Sequence, residues 1–119
     1  MMNAAQSTEP HDIALQHEAP DSETRREIAD LFRILGDPTR LGIVYACLSA
    51  PLAAGDIASR LGISASLTSH HLRLLRAARL VRGERRGKQI FYTAADDHVI
   101  RVLSDMAEHA IEPDREDMP

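Results

Sequence analysis

Two histidines and several carboxylates lie near the C-terminus, in the stretch ADDHVIRVLSDMAEHAIEP of residues 95–113. Asp96, His98, His109 and Glu112 form the pattern Asp-x-His, ten intervening residues, His-x-x-Glu. Imidazole nitrogens and carboxylate oxygens are ligands that zinc takes in proteins, usually four of them in a tetrahedron. The pattern indicates a metal site, unless these residues are only the solvated side of a helix.

The separation of the two histidines limits how they can be used. Eleven residues carry an α-helix roughly 20° beyond three full turns and about 16 Å along its axis. His98 and His109 therefore share a face, yet zinc–nitrogen bonds of about 2 Å prevent one helix from holding a single ion with both. Two antiparallel copies, packed near residues 103–104, would bring Asp96 and His98 of one chain to His109 and Glu112 of the other, twice by symmetry.

The residues between the histidines suit such a dimer. Apolar side chains for the seam are supplied by Val99, Val102, Leu103 and Met106. Two imidazoles and two carboxylates match the ligand preference of zinc, and cobalt accepts the same donors. If the helix packs against its symmetry mate, the sequence predicts a homodimer with two metal sites between its subunits, and a solvated helix face is the alternative.

The elements that precede this helix follow from apolar spacing and from residues that begin or end helices. A first helix is predicted from Asp21 to Gly36. Asp37 is a natural N-cap and Pro38 suits the first helical position, so they begin a second helix, which Pro51 ends.

The next segment has the spacing of a helix-turn-helix. A short third helix in AAGDIASRLGIS ends at Gly62, and Ser64 caps a fourth helix in SASLTSHHLRLLRAA. The apolar side of the fourth helix is predicted to include Leu67, Leu72 and Leu75.

After the fourth helix the pattern changes to a period of two, which predicts a hairpin of two strands around Arg86-Gly87. The metal-ligand pattern then falls on a fifth helix at about residues 96–112. The predicted fold is mainly α (α+β), a homodimeric winged helix-turn-helix of order α-α-α-α-β-β-α. Its expected parts are a flexible tail over 1–20, a DNA-binding and dimerisation domain over 21–113, and a tail over 114–119.

Charge is distributed unevenly along the chain. The net charge is −4, yet residues 57–93 carry eight basic residues against one acidic, a net +7. The remainder carries six against seventeen, or −11. This asymmetry indicates a patch that faces a polyanion, with a set of solvated helix arginines as the alternative.

The fourth helix and the hairpin hold the residue types that contact DNA. A helix in the major groove needs short polar side chains at its N-terminal end and cations placed for phosphates. The candidates are Ser64, Ser66, Thr68, Ser69, His70, Arg73 and Arg76 on the helix, and Arg85, Arg86 and Lys88 at the hairpin tip. Capping and exposure alone would also account for the serines, but their place in a helix-turn-helix favours DNA.

The chain resembles the ArsR/SmtB family of bacterial metal-sensing repressors in LGDPTRLGIVYACL, GDIASRLGISASLTSHHLRLLRAARLV and ERRGKQIFYTAADDH, over about residues 25–112. The resemblance implies a homodimeric winged helix that blocks a promoter until an inducer binds. It implies that Ser66, Ser69 and His70 face bases and that the wing arginines contact the DNA backbone. The fifth-helix pattern is similar to the sensor site of the zinc-responsive members at all four positions.

The sensor sites of other members of the family match this sequence less well. Arsenic- and cadmium-type members carry a Cys-x-Cys pair on the third helix, where this chain has Ala53 and Ala54. Cys47 stands alone among apolar neighbours, which favours a structural thiol and leaves a redox signal as an alternative. Some nickel-type members recruit N-terminal ligands, so His11 and His17 leave a nickel sensor as another alternative.

The function that the resemblance implies, together with these residues, is that of a metal-responsive transcriptional repressor. The apo dimer binds operator DNA and leaves it when zinc, or cobalt, binds, so that metal efflux or resistance genes are expressed. Four protein ligands leave no position for a catalytic water, and the sequence lacks a nucleophile motif, so we expect no enzyme. A cytoplasmic protein without membrane contact is expected, because signal-peptide and membrane-spanning patterns are absent.

Overall fold

The computed structural model describes residues 18–113, so the predictions for residues 1–17, including His11 and His17, and for 114–119 lie outside it. The elements are α1 (Ser22–Leu35), α2 (Pro38–Ala46), β1 (Leu52–Ala53), α3 (Ala54–Leu61), α4 (Ala65–Ala77), β2 (Val81–Arg86), β3 (Gln89–Ala94) and α5 (Asp97–Ile111). Contacts divide the chain into two units after Asp30, and the features below lie in the unit from Leu31 onward. The described part confirms the mainly α winged helix-turn-helix fold.

Local chemistry fixes where the helices begin and end. Asp37 accepts a hydrogen bond from the Arg40 backbone N–H at 2.9 Å, and Pro38 occupies the first position of α2. Gly62 ends α3 with a left-handed φ of 65°, a conformation that glycine adopts without steric cost. The predicted caps of these helices are therefore confirmed.

The sheet contains one strand more than the sequence predicted. Its order is β1-β3-β2, and the short β1 pairs Leu52 with Tyr92 and Ala53 with Phe91. The expected hairpin is present, with Arg86 opposite Gln89 and Gly87 in the turn at a φ of 65°. A strand of two residues has no periodicity of its own, and β1 exists only through its long-range pairing with β3.

The core is built from α2, α3, α4 and the sheet, with Ile43, Val44, Ile57 and Leu75 fully enclosed. The inward face of α4 consists of Thr68, His71, Leu72 and Leu75, which follow a three-four spacing. Leu67 was predicted on this face, but it is 40% exposed. That prediction is wrong because it followed residue type, whereas Thr68 and His71 occupy the inward positions.

Helix α5 is attached to the core of its own chain through one face. Leu103 is buried there, and its carbonyl accepts a hydrogen bond of 2.7 Å from the Tyr45 hydroxyl of α2. Val102 and Met106 face outward, with 44% and 51% of their surface exposed. Leu103 was predicted to fill a seam between two chains, and its place in the core of one chain corrects this.

The bond between Tyr45 and Leu103 gives a first prediction. Tyr45→Phe keeps the ring and removes the hydroxyl, so we expect the free energy of unfolding to fall by about 1 kcal/mol, measured by urea denaturation. Tyr92→Phe is the matched control, since within residues 18–113 no protein group hydrogen bonds to the Tyr92 hydroxyl. An equal loss in both variants would contradict a role for this bond.

Candidate DNA interface and metal ligands

The outward face of α4 carries most of the predicted DNA-contacting residues. Exposed side chains on the helix belong to Ser66, Ser69, His70, Arg73 and Arg76. Ser64 begins the helix, and its hydroxyl accepts a hydrogen bond from the Leu67 backbone N–H at 3.1 Å. The side chain of Ser64 therefore has a structural role, in addition to any contact with DNA.

Thr68 lies on the opposite side of α4 from these residues. It is 0% exposed, and its hydroxyl donates a hydrogen bond of 2.8 Å to the Ser64 carbonyl. A buried, satisfied hydroxyl cannot contact a base in this conformation. We therefore leave Thr68 out of the DNA-contacting set that the sequence suggested.

The two adjacent histidines of α4 lie in different environments. His70 is exposed, whereas His71 is buried and its Nδ1 has no hydrogen-bond partner within residues 18–113. Burial lowers the pKa of His71, and the carboxylate of Asp37 only partly opposes this effect. Of the pair, His70 is the one whose position suits an interface, and His71 belongs to the packing between α4 and the start of α2.

The wing divides its basic residues between two faces. The guanidinium of Arg86 lies 5.1 Å from the centre of the Phe91 ring and 3.5 Å from Glu84. Arg85 is opposite Ile90 in the register, which places it on the other face of the hairpin. Lys88 follows Gly87 in the exposed turn.

The proposed metal ligands lie at the two ends of α5. Asp96 is the N-cap, and its Oδ1 accepts a hydrogen bond from the Val99 backbone N–H at 3.1 Å. The same oxygen lies 3.5 Å from Nδ1 of His98, whose side chain is 87% exposed. At the other end His109 is in the last turn, and Glu112 is the C-cap, just beyond the helix. Over residues 18–113 of a single chain, no three His, Cys, Asp or Glu side chains come together as a metal site.

The donor groups are nevertheless suited to a divalent ion. The hydrogen bond from Val99, aided by the charge of His98, lowers the pKa of Asp96, so its carboxylate is ionised at neutral pH. Metal binding there would not require the loss of a proton from this group. One carboxylate oxygen is engaged by the helix cap, which leaves the second for a metal.

Cys47 lies in the core, with 1% of its surface exposed. Burial raises the pKa of its thiol to about 11, and the charge of Arg60 offsets only part of this. Since the thiolate is the reactive form, this position is unsuited to redox sensing at neutral pH.

The inward position of Thr68 gives a second prediction. Thr68→Val keeps the shape of the side chain, and the Ser64 carbonyl retains its bond from the Thr68 backbone N–H. We expect operator affinity to be unchanged in fluorescence anisotropy. The matched control is Ser69→Ala on the exposed face, for which we expect a loss equivalent to about 1 kcal/mol. A larger loss for Thr68→Val than for Ser69→Ala would refute this orientation of α4.

The burial of Cys47 gives a third prediction. Iodoacetamide should alkylate the folded protein at least about tenfold more slowly than the urea-unfolded chain at pH 8, because a higher pKa leaves less thiolate. The rate in the folded state should rise as the pH approaches 11. The chain has one cysteine, so mass spectrometry reports this thiol alone. Equal rates in the folded and unfolded states would restore a redox role.

Comparison with known proteins agrees with the winged helix-turn-helix fold. Residues 37–82 match the family model described as "Bacterial regulatory protein, arsR family". The chain is 35% identical to the transcriptional repressor SmtB homolog of Synechocystis over 100 residues, which cover 84% of this chain and 76% of that protein.

Solved structures have the same fold. NolR from Sinorhizobium fredii is 30% identical, with a TM-score of 0.68 over 79% of this chain and 95% of its own. The homodimeric winged helix-turn-helix domain of Mb0332 from Mycobacterium bovis has a TM-score of 0.69 at 22% identity, over 88% of this chain and 89% of its own. No helix within residues 18–113 is both long and apolar enough to cross a membrane. The chain belongs to the ArsR family of bacterial DNA-binding transcriptional regulators.

Proposed function

We propose that this protein is a cytoplasmic, metal-responsive transcriptional repressor whose apo dimer binds operator DNA and leaves it when zinc or cobalt binds. The observation that carries the proposal is the outward face of α5. On that face Val102 and Met106 are exposed between His98, in the first turn of the helix, and His109, in the last turn. An apolar stripe flanked by metal-binding side chains at both ends suits a helix that packs on its own symmetry mate.

The dimer follows from the two faces of α5. Leu103 attaches one face to the core, and within residues 18–113 the stripe with Val102 and Met106 stays exposed. Phe32 of α1 is a second large apolar side chain left 58% exposed. Among the solved structures of the same fold, the domain of Mb0332 is described as homodimeric. We infer that α5, together with the Phe32 end of α1, forms the subunit interface.

The metal sites follow from this interface. In an antiparallel pair of α5 helices, Asp96 and His98 of one chain would face His109 and Glu112 of the other. Two imidazoles and two carboxylates are a ligand set for zinc or cobalt, and thiolates are absent from it. Nickel bound with the help of His11 and His17 is the competing assignment, and those residues lie outside the described part of the chain.

A metal at α5 would act on DNA binding through the core of each subunit. Tyr45 joins α2 to Leu103 of α5, and α2 also packs against α4. A ligand that prefers one arrangement of the paired helices shifts the dimer toward it. If the spacing of the two α4 helices in that arrangement does not match the spacing of two operator half-sites, operator affinity falls.

The fourth prediction tests whether each site is shared by two chains. Homodimers of His98→Ala or of His109→Ala have no intact site, so zinc should no longer release either from DNA. A heterodimer of the two variants has one site that lacks both histidines and one that is complete. We expect mixed and re-annealed subunits to regain zinc binding and zinc-induced release, measured by equilibrium dialysis and anisotropy.

The matched control is Glu108→Ala, an exposed carboxylate beside His109 that is not in the ligand set. It should respond to zinc like the unaltered protein. Undiminished release in both histidine homodimers, or no recovery in the heterodimer, would refute the shared site. Repeating the assay with nickel on a chain that lacks residues 1–17 separates zinc or cobalt sensing from the nickel assignment.

A further inference from the structure

A cleft of about 470 Å³ opens between the outward side of α4 and the wing. Its lining consists of Ser69, Leu72, Arg73, Arg76 and Ala77 from α4, and Tyr92 from β3. The α4 residues are spaced as one helical stripe, with the exposed Ser69, which the resemblance implies faces bases, at the end nearest the N-terminus of the helix. The cleft therefore continues the predicted DNA-contacting face toward the sheet.

The backbone of the wing holds Tyr92 in place at the floor of this cleft. Tyr92 lies in the central strand, opposite Gly83 of β2 and Leu52 of β1. A Cβ atom at Gly83 would come within 3.3 Å of the Tyr92 ring and 2.9 Å of the Ile90 side chain. The ring thus occupies the space above Gly83, and a side chain at that position would displace it.

The Tyr92 hydroxyl is a polar group of this region for which the described residues supply no hydrogen-bond partner. Tyr92 is only 9% exposed, and within residues 18–113 its hydroxyl has no protein partner, whereas Tyr45 donates to Leu103. Tyrosine hydroxyls usually find a partner when the ring is buried. The Tyr92 oxygen is not among the enclosed unpaired atoms, so it reaches solvent, and the cleft is the open space that Tyr92 lines.

The charge around the cleft is positive. Arg73 and Arg76 line it, and none of its lining residues in the described part of the chain is acidic. Arg85 belongs to the same face of the hairpin as Gly83 and Tyr92, because residues two apart in a strand share a face. The nearest acidic residue of the hairpin, Glu84, lies on the opposite face with Arg86. Two guanidinium groups and a hydroxyl donor form a set that recognises a phosphate.

We propose that this cleft holds one backbone phosphate of the bound DNA, with Arg73 and Arg76 supplying charge and the Tyr92 hydroxyl donating a hydrogen bond to a phosphate oxygen. The inference rests on the DNA binding of the proposed function, and not on the metal response. Tyr92 thereby becomes a DNA-positioning residue. The phosphate in question is the one that lies between the base-reading helix and the wing.

The fifth prediction compares Tyr92→Phe with arginine variants in metal-free protein, on a DNA fragment selected by the unaltered protein. Tyr92→Phe should weaken binding about tenfold, as expected for a hydrogen bond to a charged acceptor, without changing the salt dependence. Arg73→Gln and Arg76→Gln should each reduce the slope of log affinity against log salt by about one. In the double Arg73→Gln, Arg76→Gln background, Tyr92→Phe should have little further effect.

A scan with methylphosphonates, which neutralise one phosphate at a time, identifies the contact. The unaltered protein should lose affinity at one phosphate of each half-site, and Tyr92→Phe should lose less at that phosphate, because it retains only the contacts from Arg73 and Arg76. Tyr45→Phe is the control, and its profile should match that of the unaltered protein. If Tyr92→Phe binds DNA as tightly as the unaltered protein and gives the same methylphosphonate profile, the proposed phosphate site is wrong while the repressor proposal stands. If the unaltered protein selects no DNA, both proposals are wrong.

Discussion

The arrangement of the molecule depends on how α5 packs against its own chain. Leu103 enters the core and Tyr45 binds its carbonyl, so the rotation of α5 about its axis is set within one subunit. With that rotation fixed, Val102 and Met106 have to face outward, and they lie between His98 and His109. Intrachain packing thus determines which side chains of α5 are exposed and available to the second subunit that we propose.

Helix α4, like α5, has one face packed in the core and the opposite face exposed. Thr68, His71, Leu72 and Leu75 face the core, and this leaves the serines and arginines of the opposite side exposed, where the sequence predicts the DNA contacts. Because Thr68 and His71 are polar, their buried side chains need hydrogen-bond partners nearby. The Thr68 hydroxyl has one in the Ser64 carbonyl, whereas Nδ1 of His71 is left without one in the described chain.

Sequence was a good guide wherever short-range chemistry decides the structure. The caps at Asp37 and Ser64, the end of α3 at Gly62 and the turn at Gly87 all follow from neighbours within a few residues. Sequence was a poorer guide where contacts between distant segments decide the structure. The strand β1 forms only by pairing with β3, some 40 residues later along the chain.

The side chains of α4 and α5 illustrate the same limit at the candidate sites. Apolar character suggested Leu67 for the core and Leu103 for a seam between chains, and packing decided otherwise in both cases. The spacing of the ligand residues in α5 could be read from the sequence, but their meeting requires a second chain. Tyr92 was missed because a tyrosine in an alternating strand is ordinarily a core residue. The signal for it, a ring above Gly83 whose hydroxyl has no protein partner within residues 18–113, exists only in three dimensions.

The contact between Gly83 and its neighbours also has an evolutionary consequence. Any side chain at position 83 would collide with Ile90 and crowd the ring of Tyr92, so the three positions form one steric unit. A larger residue at 83 is tolerable only with smaller ones across the strand, and it would remove the phenol at the same time. These positions should therefore change together among descendants of this chain, and a lineage that loses the glycine should also lose the phosphate contact that we propose for Tyr92.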